Sequence, residues 1–204
     1  MNIKGLSDPF PACDIEWRIQ SSGFKNDKYW AMVLAYVDNR AIQDRLDEVC
    51  GPLGWQNEYK TGPQGGIICG ISIWCDEKKQ WVTKWDGSDN TQIEAVKGGL
   101  SASMKRSGSQ WGVGRYLYNL EDMFAQTSTD NKRGQEGWSS AKESKTNKYF
   151  NWQTPQLPVW ALPKIDLAAW YSGLGDTRPL PDNVWNNLTR EQTDYFNIQA
   201  KAGD

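Results

Sequence analysis

Residues 55–85 read WQNEYKTGPQGGIICGISIWCDEKKQWVTKW, and this stretch decides the fold. From Ile67 to Cys75 the residues alternate. Ile67, Cys69, Ile71, Ile73 and Cys75 point one way, Gly70 and Ser72 the other, as in a half-buried strand. Gly62-Pro63-Gln64-Gly65-Gly66 is a turn cluster that separates this strand from another spanning Trp55 to Thr61. Asp76-Glu77-Lys78-Lys79 makes a polar hairpin connection to a third strand, Gln80 to Trp85, in which Trp81, Thr83 and Trp85 share a face. Three short strands with two such connections predict a three-stranded antiparallel meander.

Downstream, Asp86 to Gln92 is a polar loop. Ile93, Val96, Leu100, Met104, Ser107 and Trp111 then recur every three or four residues, which predicts a long helix with one buried stripe. Gly98 and Gly99 weaken that helix intrinsically, so tertiary contact must hold it or a close approach must require them. Upstream, Trp30 to Val37 (WAMVLAYV) is a continuous apolar run that periodicity leaves open between a buried strand and the start of a helix. Asp38 is an N-cap candidate for a helix carrying Ala41, Ile42, Leu46 and Val49 on one face and Asp44, Arg45, Asp47 and Glu48 on the other. Gly51-Pro52 ends it. The expected fold class is α+β, a strand-helix-β-β-β-helix core with a less regular C-terminal tail.

Around this core of residues 29–125, the reading expects an irregular N-terminal arm over 1–28, with a short amphipathic helix at Ile15 to Ile19. It expects a polar linker over 126–151, rich in Ser, Thr, Asn, Gly, Lys and Glu. A Trp- and Pro-rich C-terminal region over 152–204 would carry short helices near Asp166 to Ser172 and Thr189 to Lys201.

Composition narrows the chemistry. The 204 residues hold 23 Lys and Arg against 25 Asp and Glu, and no histidine. The missing histidine removes Ser-His-Asp and Cys-His catalysis and His-ligated zinc together. Cys13, Cys50, Cys69 and Cys75 show no metal spacing, so no metal or cofactor is expected and the cysteines read as reduced, structural thiols. No apolar run is long enough to span a membrane. Met1 to Asp14 lacks the pattern of a secretory signal, and the expected location is the cytoplasm.

Against an acidic background, the stretch from Ala95 to Leu120 is free of carboxylates and carries Lys97, Lys105, Arg106 and Arg115, a local charge of +4. Lys97, Ser101 and Lys105 fall four apart on one helical face. Ser103, Ser107 and Ser109 add neutral donors around them. Cations and hydroxyls without competing acids suit a phosphate backbone, because each cation neutralises a phosphate and releases counterions. Nothing forks toward a particular base, so binding independent of sequence is expected. A solvated basic helix face is the plainer alternative. Two other chemistries compete. Asp86, Asp89 and Glu94 loosely resemble the acids of a magnesium-dependent nuclease. With 12 tryptophans in the chain, Trp81 and Trp85 would form the stacking platform of a sugar-binding module.

The order of motifs resembles the Rad-fifty-two/Rad-twenty-two single-strand annealing family, especially its bacterial and phage members. The resemblance rests on Ala31 to Gly54 (AMVLAYVDNRAIQDRLDEVCGPLG), Trp55, the meander, and Val96 to Gly112 (VKGGLSASMKRSGSQWG). It covers about residues 29–125 and implies a non-enzymatic protein that binds single-stranded DNA and promotes annealing without ATP in recombination and repair. No Walker-type GxxxxGK[ST] sequence is present. By position, Arg40 matches the arginine that opens the family's first helix, and Lys105 and Arg106 match its Lys-Arg pair. In the family these line a groove that holds the strand's phosphates. Ser109 stands where the family pattern has another basic residue; Arg115 takes that place only if the helix continues far enough. The resemblance also implies a homo-oligomeric ring, which would align one small basic patch per subunit into a continuous track. A single-strand-binding protein or a companion exonuclease is the candidate partner of the tail. The cell would be the bacterial host if the chain is phage-encoded.

Overall fold

The computed structural model describes residues 3–63, 65–89, 95–120 and 123–163. Residues Met1–Pro155 form one compact unit and Gln156–Asp204 a second. The two helices expected at 166–172 and 189–201 lie outside the described residues.

The fold is α+β. Its centre is the meander of β3 (Trp55–Thr61), β4 (Ile67–Cys75) and β5 (Gln80–Ser88), antiparallel and without register shifts. Cys69, Ile71 and Ile73 bury one face of β4. Helix α2 (Ala95–Gln110) packs on this sheet, and Trp111 just beyond it donates its indole N–H to the Ile71 carbonyl at 2.9 Å. Ser103 and Ser107 are fully buried here, and Ser107 Oγ donates to the Lys84 carbonyl at 3.0 Å. Small hydroxyl residues let a helix approach a sheet closely while keeping their own polar atoms bonded. The reading of Ser103 and Ser107 as donors beside the cations is therefore corrected. Of that trio, Ser109 alone is not buried, and its Oγ returns to the Arg106 carbonyl at 2.7 Å.

Helix α1 (Asn39–Cys50) follows the sequence closely. Asp38 caps it by accepting from the Ala41 N–H at 2.8 Å, and Gly51, at φ +74°, closes it through an N–H bond to the Asp47 carbonyl at 2.9 Å. Ile42 and Leu46 are buried. Gly108 of α2 lies against Ile42, where an added Cβ would sit 3.3 Å from a methyl.

Several expectations change, and one open choice is settled. Trp30 to Val37, left open, is strand: β2 (Lys28–Val37) pairs along its length with β1 (Ile15–Lys25). The helix expected at Ile15 to Ile19 is thus part of β1. Ile15 and Ile19 fit helical spacing, but Ile15, Trp17 and Ile19 also fit a period of two, and the hairpin turn at Asn26-Asp27 settles the choice. Both turn residues have positive φ (51° and 60°), the geometry whose twist matches paired strands. Short β6 (Met123–Ala125) completes the sheet in the order β1-β2-β6.

Residues 3–14 are not an irregular arm: they form two short 3-10 helices, Ile3–Ser7 and Ala12–Asp14. Leu6 and Phe10 are buried, and Phe10 N–H donates to the Tyr116 hydroxyl at 2.9 Å. Arg45, expected on the polar face of α1, is buried instead. Its guanidinium donates to the carbonyls of Gly5 (3.0 Å), Asp8 (2.6 Å) and Pro9 (3.3 Å) and lies 4.2 Å from the Phe10 ring.

Residues 126–151, read as a polar linker, hold β7 (Thr127–Ser128), β8 (Trp138–Lys142) and most of β9 (Tyr149–Gln153), in the order β7-β9-β8. Phe150 and Trp152 join Ala31, Val33 and Ala125 in one core cluster. Linker composition and turn composition are the same residues. Here Gly134 and Gly137 turn the chain between β7 and β8, which flank β9, and Asn147 turns it from β8 into its partner β9, all three at positive φ.

Candidate nucleic-acid interface

Helix α2 carries most of the predicted cations and ends at Gln110 because the chain turns at Gly112 (φ +100°) and Gly114 (φ +65°). A short 3-10 helix, Arg115–Asn119, follows. Arg106 and Arg115 form a first group, and Lys105 stands on another side of α2.

The first group gathers at the C-terminal end of α2. Arg106 is exposed, and its Nε donates to Asp86 Oδ1 of β5 at 2.9 Å. Asp86 also accepts from Gln110 Nε2 (3.0 Å) and from the Gly87 N–H (2.8 Å). Burial alone would raise the Asp86 carboxyl, but these hydrogen bonds and the guanidinium outweigh it and hold the carboxyl below its ordinary range. The same bond raises Arg106 above its ordinary value. Arg115 is not on α2, but its side chain folds back onto it. Nε donates to the Ser109 carbonyl at 2.6 Å and Nη2 to the Gln110 carbonyl at 2.7 Å. Its guanidinium thus reaches the Ser109 position without the helix continuing. Two of its donors are spent on the last carbonyls of the helix, where cations are favoured by the helix dipole.

Lys84 joins them, with Nζ donating to the Gln110 carbonyl at 2.9 Å and standing 4.4 Å from the Trp111 ring. Lys84 was not singled out from sequence. The signal was there: alternation puts it on the face of β5 opposite Trp81 and Trp85, which is the face α2 covers.

Lys105 instead lies toward the β1–β2 hairpin. Lys105 is half-buried, with Nζ 4.3 Å from the centre of the Tyr36 ring. Burial lowers the Lys105 amine, opposed by the carboxylates of Glu16 and Asp38. The Tyr36 hydroxyl is hydrogen-bonded to Glu16, which with burial pushes it up to about 12. Arg40 is exposed in the first turn of α1, two residues past the Asp38 cap. Lys97 is exposed in the first turn of α2, two turns before Lys105. Lys105 and Arg106, adjacent in sequence, therefore diverge, as neighbours about 100° apart on a helix must.

The acid-free character of the stretch does not survive folding. Asp86 approaches Arg106 from β5, and Glu16 and Asp38 approach Lys105 from the hairpin and the α1 cap. These acids are 20 to 89 residues away along the chain, beyond the reach of any local charge count.

The competing chemistries find less support. Asp86, the first of the three acids read as a nuclease site, is bonded to Arg106 and Gln110, and Glu94 lies outside the described residues. Among the described residues no group of three or more His, Cys, Asp or Glu side chains is placed to hold a metal ion. Trp85 lies across Gly70, where a Cβ would meet its ring at 2.7 Å, and carries the Lys60 ammonium 4.2 Å above it. Trp81 packs edge-on against Trp74 at 5.5 Å. Each has these neighbours and still keeps 39% of its surface exposed. The buried thiols of Cys50 and Cys69 are raised by burial, Cys69 to about 11, which keeps them protonated.

The chain is 32% identical over 163 residues to the single-stranded DNA-binding protein DdrA of Deinococcus radiodurans, covering 78% of this chain and 67% of that one. It is 29% identical over 162 residues to the DdrA of Deinococcus deserti, covering 78% and 69%. No solved structure gives a significant match. The model of the Rad52/22 family of double-strand break repair proteins matches residues 3–67 and 73–136, which span the hairpin, α1, the meander and α2. With its ordered motifs, its β-β-β-α centre and more than half its length matched, the chain belongs to the Rad52/22 family of double-strand break repair proteins.

Proposed function

We propose that this chain binds single-stranded DNA through its phosphate backbone, with Arg40, Lys97, Lys105, Arg106 and Arg115 as contacts, and promotes ATP-independent annealing in recombination and repair. The observation that carries this reading is the gathering of Lys84, Arg106 and Arg115 at the C-terminal end of α2, a helix that also bears Lys97 and Lys105, in a chain related to proteins named for single-stranded DNA binding. The protein acts without catalysis. The groove holds the backbone extended, and complementary bases pair by their own stacking and hydrogen bonds. It works as a homo-oligomeric ring in the cytoplasm, the bacterial host's if the chain is phage-encoded. The region after 152 docks a single-strand-binding protein or an exonuclease. Support for assembly comes from the outer face of the β1-β2-β6 sheet, where Trp30, Leu34 and Phe124 are exposed together.

The test is Lys105→Ala with Arg106→Ala, measured for binding and annealing across salt concentrations. Each phosphate contact contributes about 0.7 to the slope of log K against log salt for single strands, so the double variant is expected to lose about 1.4 of that slope and to anneal slowly. Unchanged slope and annealing would remove the groove assignment.

A further inference from the structure

We infer that Asp86 is the positioning residue for Arg106, an acid that fixes the guanidinium so that it meets phosphate in one orientation; the inference rests on the DNA-binding reading above. An exposed arginine on a helix normally samples many rotamers, and binding must freeze them. Arg106 is 55% exposed by side chain, yet it is tethered at Nε. The tether is itself rigid. Asp86 sits on β5 directly across from Cys69 of β4, and its side chain is 17% exposed. One carboxylate oxygen accepts from Arg106 Nε and from the Gly87 N–H, and the other accepts from Gln110 Nε2 one turn along α2. A carboxylate held from the strand and from two helix residues is an anchor, not a loose counter-ion.

The geometry of the contact matters. Asp86 engages Nε through a single oxygen, because its second oxygen is turned to Gln110. The forked Nη1–Nη2 end of a guanidinium is the part that matches two phosphate oxygens. An anchor at Nε orients that end instead of competing for it. The carboxylate lies on the protein side of the guanidinium, so an incoming phosphate meets the cation first, and repulsion between the two anions is screened at the surface. Gln110 links this anchor to the rest of the cluster, since its own carbonyl accepts from Lys84 and Arg115. One acid and one glutamine thereby register three cations at the end of α2.

The test separates this role from its opposite, in which an acid beside a DNA-binding arginine acts as a built-in competitor. The two roles give opposite signs. The experiment is a double-mutant cycle on the full chain, with Asp86→Asn, Arg106→Ala and the combination, read as affinity for a poly-thymidine oligonucleotide at two salt concentrations. Asp86→Asn keeps the side-chain shape, and melting curves of all three variants monitor folding. Positioning predicts that Asp86→Asn weakens binding by on the order of fivefold, as expected for losing one charge-assisted bond at the surface. It also predicts that the same change in the Arg106→Ala background has no further effect. Tighter binding by Asp86→Asn, unchanged binding, or an equal loss in both backgrounds overturns the inference. If Arg106→Ala alone binds normally, the DNA-binding assignment of Arg106 itself is wrong, which distinguishes that failure from failure of the anchor.

Discussion

At the scale of single residues, the acids decide how the cations behave. Asp86 is held ionised by Arg106, Gln110 and the Gly87 N–H, and its carboxyl titrates below the ordinary range. A carboxyl depressed in the folded state adds stability where it is ionised in both states, above the unfolded value near 4. That contribution fades as pH falls through the folded value. Asp86→Asn is therefore expected to melt below the wild type at neutral pH and to converge with it in strong acid, as followed by thermal unfolding against pH. Arg45 makes a related point about legibility. The sequence places it with Glu48 on the polar face of α1, and the two form an ion pair at 3.4 Å. What the sequence does not disclose is that the other side of the guanidinium closes three carbonyls of a segment some forty residues earlier.

At the scale of elements, α1 and the meander were legible and β1 was not. Helix α1 has a cap, an apolar stripe and a terminating glycine, each a local signal, and all three hold in the structure. Strand β1 has no such signal until its partner is present, because a short window with Ile15, Trp17 and Ile19 satisfies two periods at once. Glycine positions show where elements meet. Gly112 combines φ +100° with a neighbour so close that an added Cβ would lie 2.3 Å from Ser7 Oγ. Gly112→Ala is expected to cost about 2 kcal/mol or more, from backbone strain and overpacking together. It should also loosen the N-terminal segment, so denaturant unfolding would show the loss and proteolysis would cleave earlier within the first ten residues.

At the scale of the whole molecule, the outward faces carry the prediction. The β1-β2-β6 sheet buries one side against Phe150 and Trp152 and turns Trp30, Leu34 and Phe124 outward, with Trp30 and Phe124 edge to face at 6.4 Å. Strand β1 is an edge strand of 11 residues, long enough to template pairing with another chain. If this face joins subunits, Leu34→Glu with Phe124→Glu is expected to break the assembly, and light scattering would report the mass falling toward the 23.2 kDa of one chain. Annealing should fall with it, because the proposed track exists only when patches align. An assembly of unchanged mass would place the contact elsewhere.

The meander, α1, α2, the cap at Asp38 and the stop at Gly51 followed from the sequence by itself, because each depends on residues within one or two turns or one hairpin of each other. So did the concentration of cations on α2 and the order of motifs that marks the family. Only the tertiary structure decided the company those cations keep. It brought Asp86 to Arg106 and Tyr36 to Lys105, returned Arg115 to Ser109, added Lys84, and buried Arg45, Ser103 and Ser107. The reason is that side-chain electrostatics depend on distance in space, and strands and helices far apart in sequence set those distances. Local pattern reports which face an element buries; packing alone determines what that face meets.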